Sequence, residues 1–119
     1  MSRQSFRSEV LAWAARLDVA PRGIYIQRMT RKWGSCSVRG RVCFASDLLS
    51  ESTAFRAAVI VHELLHLSVP NHGKLFRSLM SAYLPGWQDV RSGVERILCG
   101  RIRSESDGAT TLLRQARAN

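Results

Sequence analysis

The chain has 119 residues, of which 18 are Lys or Arg and nine are Asp or Glu, so its net charge is +9. That length corresponds to one domain with a modest core and leaves no room for a second module. No stretch reaches the roughly 20 apolar residues of a membrane-spanning helix, so we expect no membrane partner. The three cysteines lack the paired short spacings of a zinc ribbon, and no apolar N-terminal segment indicates export, which together predict a reducing, cytoplasmic location.

The first predicted element is an amphipathic helix that starts near Ser2 or Ser5 and ends at Pro21. The residues at helical spacing that it would bury are Phe6, Val10, Trp13, Ala14 and Leu17. Two short runs, over 24–29 and 42–45, are rich in branched and aromatic residues and predict strands. The turn signal Arg39-Gly40 lies between them.

Three further helices are predicted over 53–68, 72–83 and 86–99. Helices that cover a small sheet indicate the α+β class. We expect a short, mainly antiparallel sheet packed with one site-bearing helix and two or three other helices. Residues 1–100 form the predicted domain, and 101–119 form a polar C-terminal tail that is either flexible or carries a short helix.

The most informative segment is the pentapeptide His62-Glu63-Leu64-Leu65-His66. Residues four apart lie on one face of an α-helix, so both imidazoles can reach one ion. Zinc takes about four tetrahedral ligands, and a catalytic site takes three of them from protein and leaves the fourth to water. The spacing therefore predicts a site for one zinc ion. Its third protein ligand is expected to be His72, with a downstream carboxylate, Glu95 or Asp89, as the alternative.

A third ligand at His72 requires the helix to stop first, because ten residues of continuous helix would carry it about 15 Å along the axis. Pro70 provides that stop, since it lacks an amide hydrogen and pushes Val69 out of the α region. Asn71 then suits a turn position or an N-cap. His72 is therefore predicted to open the next helix and to point back toward the first two histidines.

Glu63 lies about 100° around the helix from His62, too far to share its coordination but close enough to contact a water on the zinc. Zinc lowers the pKa of such a water to about 7, so Glu63 would act as general base and return the proton to the leaving amine. The alternative interpretation is a pair of ordinary core or surface histidines. The apolar flanks 59–61 and Leu64-Leu65-Leu67 argue against it, because they bury most of the helix and leave its polar side chains in need of partners.

Two separated motifs resemble those of the YgjP-like zinc metallopeptidases and, more remotely, those of the SprT and Spartan proteases. The first motif is Trp33-Gly34-Ser35-Cys36-Ser37 with a strand after it, and the second is the helix from His62 to Leu67 with Asn71-His72-Gly73 and Phe76. The resemblance covers roughly residues 28–96. It implies a zinc ion held by His62, His66 and His72, with Glu63 as catalytic base. It also implies a small zincin-like α+β metallopeptidase fold.

The chain departs from that family pattern in two places, because Ala45-Ser46 stands where Asn is usual and Arg77 where Trp is usual. Both changes affect expected substrate contacts and packing rather than the metal ligands. The loop 33–37 is predicted to line the site, where a strand edge beside the metal would pair with an extended substrate. Trp33 is then either a core residue or a substrate contact.

Positive charge is concentrated near the N-terminus, since residues 1–41 hold nine basic and two acidic residues. Five basic residues stand close to Trp33 in sequence, namely Arg28, Arg31, Lys32, Arg39 and Arg41. A basic face with an aromatic residue can bind phosphates or stack an unpaired base, which makes nucleic acid a possible partner. The alternative is a solvated, arginine-rich surface.

These observations lead to three functional hypotheses. The first is a zinc peptidase that cuts free or partly unfolded polypeptide, and the second is a protease that acts on proteins bound to nucleic acid. The third is a binding module in which zinc is structural and Glu63 is idle. A structural zinc site is normally closed by four protein ligands, often cysteines, and no cysteine adjoins the histidines in sequence, although Cys36 can approach in space. We therefore predict the peptidase, and the oligomeric state is left open.

Cys36 and Cys43 fall opposite each other if Arg39-Gly40 forms a two-residue turn, and a disulfide is then geometrically possible. The predicted reducing location disfavours it, and so does an arginine at a turn position that needs positive φ. We interpret both cysteines as small core residues.

Overall fold

The structure is a computed structural model and describes residues 1–90. Its elements, in chain order, are helix α1 (Arg3–Leu17), strands β1 (Gly23–Gln27), β2 (Gly34–Cys36) and β3 (Arg41–Ala45), helix α2 (Thr53–Leu65) and helix α3 (Lys74–Tyr83). Single 3-10 segments lie at Ser46–Ser50 and Trp87–Asp89. The predicted α+β class is confirmed. Within the described residues, no helix combines the length and the apolar character needed to cross a membrane.

The helix predicted over 86–99 does not begin as expected. Gly86 adopts a left-handed φ of 82°, and only a short 3-10 segment follows before Val90 takes an extended conformation. Residues 91–99 lie outside the described residues, and so does the predicted tail 101–119. The boundary between a domain and a tail stays a prediction.

The three strands form one sheet in the order β1-β3-β2. β2 pairs antiparallel with β3 through a hairpin, whereas β1 pairs parallel with β3. The segment 28–33 crosses the end of β3 and places β1 and β2 on opposite sides of it. The sheet is therefore mixed rather than mainly antiparallel. The sequence patterns predicted β1 and β3, but they placed β2 in a loop and did not indicate this crossing.

The hairpin between β2 and β3 turns through three residues, 38–40, rather than through two. Gly40 adopts a φ of 90° in this turn, a conformation that suits a residue without a Cβ. The extra residue shifts the register by one, so Cys36 lies opposite Val42 and not opposite Cys43. Both cysteines are free. The alignment that would allow a disulfide was wrong.

The main core lies between the sheet and the helices α1 and α2. Phe6 of α1 meets Phe44 of β3 edge to face, with ring centroids 5.2 Å apart. Trp33 is 2% exposed and meets Phe55 of α2 in the same way at 5.0 Å. Full burial of one such ring stabilises the fold by about 1.5–3 kcal/mol. The structure thus makes Trp33 a core residue rather than a surface aromatic.

Polar contacts fix α1 at both its start and its middle. The hydroxyl of Ser2 accepts a hydrogen bond from the backbone N–H of Ser5 at 3.0 Å, an N-cap that stabilises a helix by about 1 kcal/mol. Farther along, Arg56 of α2 donates two hydrogen bonds to the carboxylate of Glu9, at 2.9 and 3.2 Å. The predicted first helix is confirmed, and these two hydrogen bonds connect it to the site-bearing helix α2.

α1 also closes the outer edge of β1. The backbone N–H of Ala45 points toward β2, so the backbone groups of the preceding residue of β3 point toward β1. With this alternation, the backbone N–H and C=O groups of Ile24 and Ile26 in β1 point away from β3. Their carbonyl oxygens accept hydrogen bonds from Arg7 at 2.6 Å and from Arg3 at 2.8 Å, respectively. The parallel edge strand therefore has side-chain donors along it.

Candidate metal centre

Helix α2 is largely buried and provides two of the candidate site residues, His62 and Glu63. Its N-cap is Ser52, whose hydroxyl accepts a hydrogen bond from the backbone N–H of Phe55 at 3.1 Å. Every residue from Ala57 to Leu65 is buried, including the two polar ones, His62 at 6% exposure and Glu63 at 0%. Because neighbours surround the helix, the positions of both polar residues are set by core packing.

The helix stops before Pro70, as predicted, but α2 ends at Leu65 rather than at residue 68, and a tighter turn follows it. The backbone N–H groups of Leu67 and Ser68 bond three residues back, at 3.0 Å each, and Pro70 follows. The turn brings the carbonyl oxygen of Val69 to 3.1 Å from Nδ1 of His66. Since a carbonyl oxygen only accepts, Nδ1 carries the proton, and Nε2 of His66 presents a lone pair to the site.

His72 was predicted to open the next helix. It lies instead in the loop before α3. α3 starts at Lys74 with Gly73 at its N-cap position, two residues later than expected. The Nε2 atom of His72 is nevertheless 2.9 Å from Nε2 of His66 and 3.1 Å from Nε2 of His62. The three imidazoles predicted from sequence are therefore brought together, with their possible ligand atoms within 4.8 Å of one another.

The spacing of these nitrogens fits a zinc ion. An ion about 2.0–2.1 Å from three nitrogens at tetrahedral angles would separate them by about 3.3 Å, close to the distances observed. Three imidazoles without a hard oxygen ligand suit zinc and its transition-metal neighbours rather than magnesium or calcium. His62 is buried, His66 half-buried and His72 exposed. The cluster therefore opens toward solvent on the side of His72.

The predicted alternatives for the third ligand fare differently. Within residues 1–90, the group of histidines, cysteines or carboxylates able to hold a metal consists of His62, His66 and His72. Asp89 and Cys36 are not members of it. Glu95 lies outside the described residues. The three-histidine set is the arrangement that the structure supports.

Phe76 of α3 is a site residue whose role was missed from the sequence. Its buried ring stacks on His66, with centroids 4.8 Å apart and an interplanar angle of 26°. It meets His62 and His72 edge to face, with centroids 5.0 and 4.9 Å away. The spacing of four from His72 was the available signal, but it is shared by many buried aromatic residues. All three imidazoles rest on this one ring.

Glu63 faces the sheet, on the side of α2 turned toward β2 and β3. A Cβ placed on Gly34 would lie 2.8 Å from Cγ of Glu63 and 3.1 Å from its Oε2. Burial, and then the charge of Glu63, raises the pKa of the Cys36 thiol well above its usual value. The pKa of Cys43 is raised too, first by burial, while a hydrogen bond with Ser35 opposes the shift and the charge of Glu63 adds to it. The carboxylate is thus close to strands β2 and β3.

A small α+β domain in which a buried helix and the next loop bring three imidazoles together is compatible with a metallopeptidase domain. The family model described as "YgjP-like, metallopeptidase domain" matches residues 2–96. The chain belongs to the YgjP-like metallopeptidase family, which confirms the resemblance found from its motifs. A search of the curated proteins found no match to the chain.

Proposed function

We propose that the protein is a zinc-dependent metallopeptidase, with His62, His66 and His72 as ligands of one zinc ion and Glu63 as general base. The observation that carries this proposal is the approach of Nε2 of His72 to Nε2 of His66 and His62, at 2.9 and 3.1 Å, in a chain of a metallopeptidase family. The choice of zinc rests on the all-imidazole donor set. A three-ligand set with an exposed side favours catalysis over a structural zinc site, which is normally closed by four ligands.

Each residue of the centre then has a defined part in hydrolysis. A zinc ion held by His62, His66 and His72 would supply the Lewis acidity that hydrolysis of a peptide bond needs. Glu63 takes the proton from the attacking water and passes it to the leaving amine. The hydrogen bond from Nδ1 of His66 to Val69 holds that ring in the tautomer and orientation that binding requires.

The substrate class that fits this arrangement is an extended polypeptide. The N–H of Ala45 bonds to the carbonyl of Trp33, so alternation along β2 directs the peptide groups of Gly34 and Cys36 away from β3. An added peptide strand can pair with this edge by β-augmentation. Gly34 also adjoins Glu63, which supports placement of the scissile bond beside the general base.

A second candidate is cleavage of proteins that are bound to nucleic acid. Residues 19–46, which include the whole sheet, contain six basic and no acidic residues. None of these six has an ion-pair partner within residues 1–90. The five that stand close to Trp33 in sequence are at least partly exposed: Arg28, Arg31, Lys32, Arg39 and Arg41. The burial of Trp33 removes the aromatic residue that was expected to stack a base. Phosphate contacts, not stacking, would then provide the affinity.

The experiment that tests the proposal compares wild type with Glu63→Gln, which keeps the shape of the side chain but cannot act as a base. Zinc content of the purified proteins and cleavage of a denatured protein mixture are measured for both, each with and without DNA. We expect one zinc ion per chain in both proteins, cleavage by wild type, and only a small residual rate for Glu63→Gln. Equal zinc without cleavage by wild type would contradict the peptidase, and stimulation by DNA would favour the second candidate.

A further inference from the structure

Gly34, the first residue of β2, stands against the side chain of Glu63. A Cβ at this position would lie 2.8 Å from Cγ and 3.1 Å from Oε2 of that residue, and 3.1 Å from the carbonyl oxygen of Cys43. Real side chains essentially never come as close as the first of these distances. Any residue other than glycine therefore forces a rearrangement at this point.

The backbone of Gly34 does not itself require glycine. Within residues 1–90, the glycines with positive φ are Gly40 and Gly86, and Gly34 lies in a regular antiparallel ladder opposite Phe44. Glycine inside a strand otherwise weakens it, because it adds conformational freedom and has no side chain to pack. What Gly34 provides is space, and Glu63 fills that space.

The neighbouring structure leaves β2 little freedom to move aside. Trp33 is buried against Phe55 of α2, and its carbonyl oxygen accepts a hydrogen bond from Ala45 at 2.9 Å. Since the strand is fixed on one side and α2 is packed on all sides, the side chain of Glu63 is the group that must yield.

We propose that Gly34 is a positioning residue for Glu63, in that its missing side chain leaves the volume that this side chain occupies between α2 and the sheet. The consequence for catalysis rests on the proposed function of Glu63 as general base. A displacement of about 1 Å in a catalytic group can lower a rate about 100-fold. We therefore expect Gly34→Ala to lower kcat about 10- to 100-fold, with KM changed by less than about twofold, since the ligands and the edge of β2 remain in place.

The matched control is Gly23→Ala, at the start of β1 on the other side of the sheet. A Cβ there would lie 2.7 Å from the ring of Tyr25, but this side chain is 43% exposed and can swing into solvent. We expect Gly23→Ala to leave kcat, KM and zinc content unchanged. A similar fall in kcat for both variants would indicate general damage to the sheet and overturn the proposal.

A double-mutant cycle separates positioning from a merely structural effect. In the Glu63→Gln background, which lacks the base, Gly34→Ala should cause no further loss of the residual activity. An equal proportional loss in both backgrounds would assign Gly34 a role independent of Glu63.

Two measurements decide the point without reference to activity. Crystal structures of wild type and Gly34→Ala should show the Glu63 carboxylate displaced while the three Nε2 atoms keep their spacing. If Gly34→Ala alone fails to fold, Gly34→Ala combined with Glu63→Ala should fold, because the shortened side chain vacates the contested volume. An unmoved carboxylate, or a double variant no more stable than Gly34→Ala, would overturn the proposal even if wild type cleaves and Glu63→Gln does not. Failure of wild type to cleave would instead contradict the peptidase function.

Discussion

The ring of Phe76 is stacked on the imidazole of His66, 4.8 Å away at an interplanar angle of 26°. The same ring abuts the other two histidines, so one aromatic side chain from α3 restrains imidazoles that come from α2 and from the following loop. Side chains that are held in place before a metal binds lose less conformational entropy on binding. The metal centre is thus a product of helix packing as much as of the histidine spacing.

Replacement of Phe76 by leucine should weaken zinc binding by about 10- to 100-fold, the effect typical of residues that orient metal ligands. Phe6→Leu is the matched control, because Phe6 is equally buried but belongs to the core cluster on the sheet. Both variants should lose a similar free energy of unfolding. Competition with a chelator gives the zinc affinities, and equal affinities in the two variants would show that the stacked ring does not orient the histidines.

His72→Ala should reduce zinc affinity by more than about 100-fold, since loss of a direct ligand should exceed loss of an outer partner. Asp89→Asn tests the carboxylate alternative and should bind zinc as wild type does. Zinc stoichiometry after dialysis against a weak chelator distinguishes the two variants. Retention of zinc by His72→Ala together with its loss from Asp89→Asn would transfer the third ligand to the carboxylate.

The raised pKa of Cys36 predicts an unreactive thiol in the folded protein at pH 7–8. Burial and the charge of Glu63 favour the neutral form, so the thiolate that reacts with iodoacetamide is scarce until the pH exceeds the usual value of 9.0. A pKa raised by folding contributes stability below 9.0, and that contribution is lost as the pH rises toward the folded pKa. Alkylation in a Cys99→Ser background should be slow in native protein and fast in denaturant.

Unfolding measured from pH 7 to pH 11 should accordingly show a steeper loss of stability in wild type than in Cys36→Ser. Rapid alkylation of native Cys36 at pH 7 would contradict the burial of its thiol, and parallel pH profiles of the two proteins would contradict the linkage.

The basic segment before Trp33 predicts a salt-dependent affinity for single-stranded DNA if the second candidate function holds. Arg31→Ala and Lys32→Ala should each reduce the slope of log affinity against log salt by about 0.7, the value for one phosphate contact on a single strand. Arg16→Ala, on α1 over the ring of Trp13, is the control and should leave the slope unchanged. Fluorescence anisotropy at several salt concentrations measures these slopes. No binding at low salt would identify the segment as a solvated surface.

Local signals in the sequence were sufficient for much of the site. The spacing of His62 and His66 and the helix stop at Pro70 predicted the convergence of three imidazoles, because each depends on backbone geometry over a few residues. Helix α1 was found from its apolar spacing and cap residue, and α2 from its apolar residues, for the same reason.

Features that depend on contacts distant in sequence were missed. The parallel pairing of β1 depends on how segment 28–33 crosses β3, and the hairpin register depends on one extra turn residue. The fit of Glu63 against Gly34 joins residues 29 positions apart, and no periodic pattern encodes it. These relationships follow from tertiary packing. The residues involved also have ordinary local explanations, so a single sequence does not reveal which of them contact each other.

The guanidinium groups of Arg3 and Arg7, bonded to the outer carbonyls of β1, give the first helix a protective role in addition to its share of the core. An uncovered strand edge invites pairing with other chains and aggregation. A fragment that begins after residue 20 would carry β1 with that edge bare, together with apolar surface that α1 normally covers. Such a fragment should self-associate through β1. The N-terminal helix therefore prevents other strands from pairing with the sheet at β1, the edge away from Glu63.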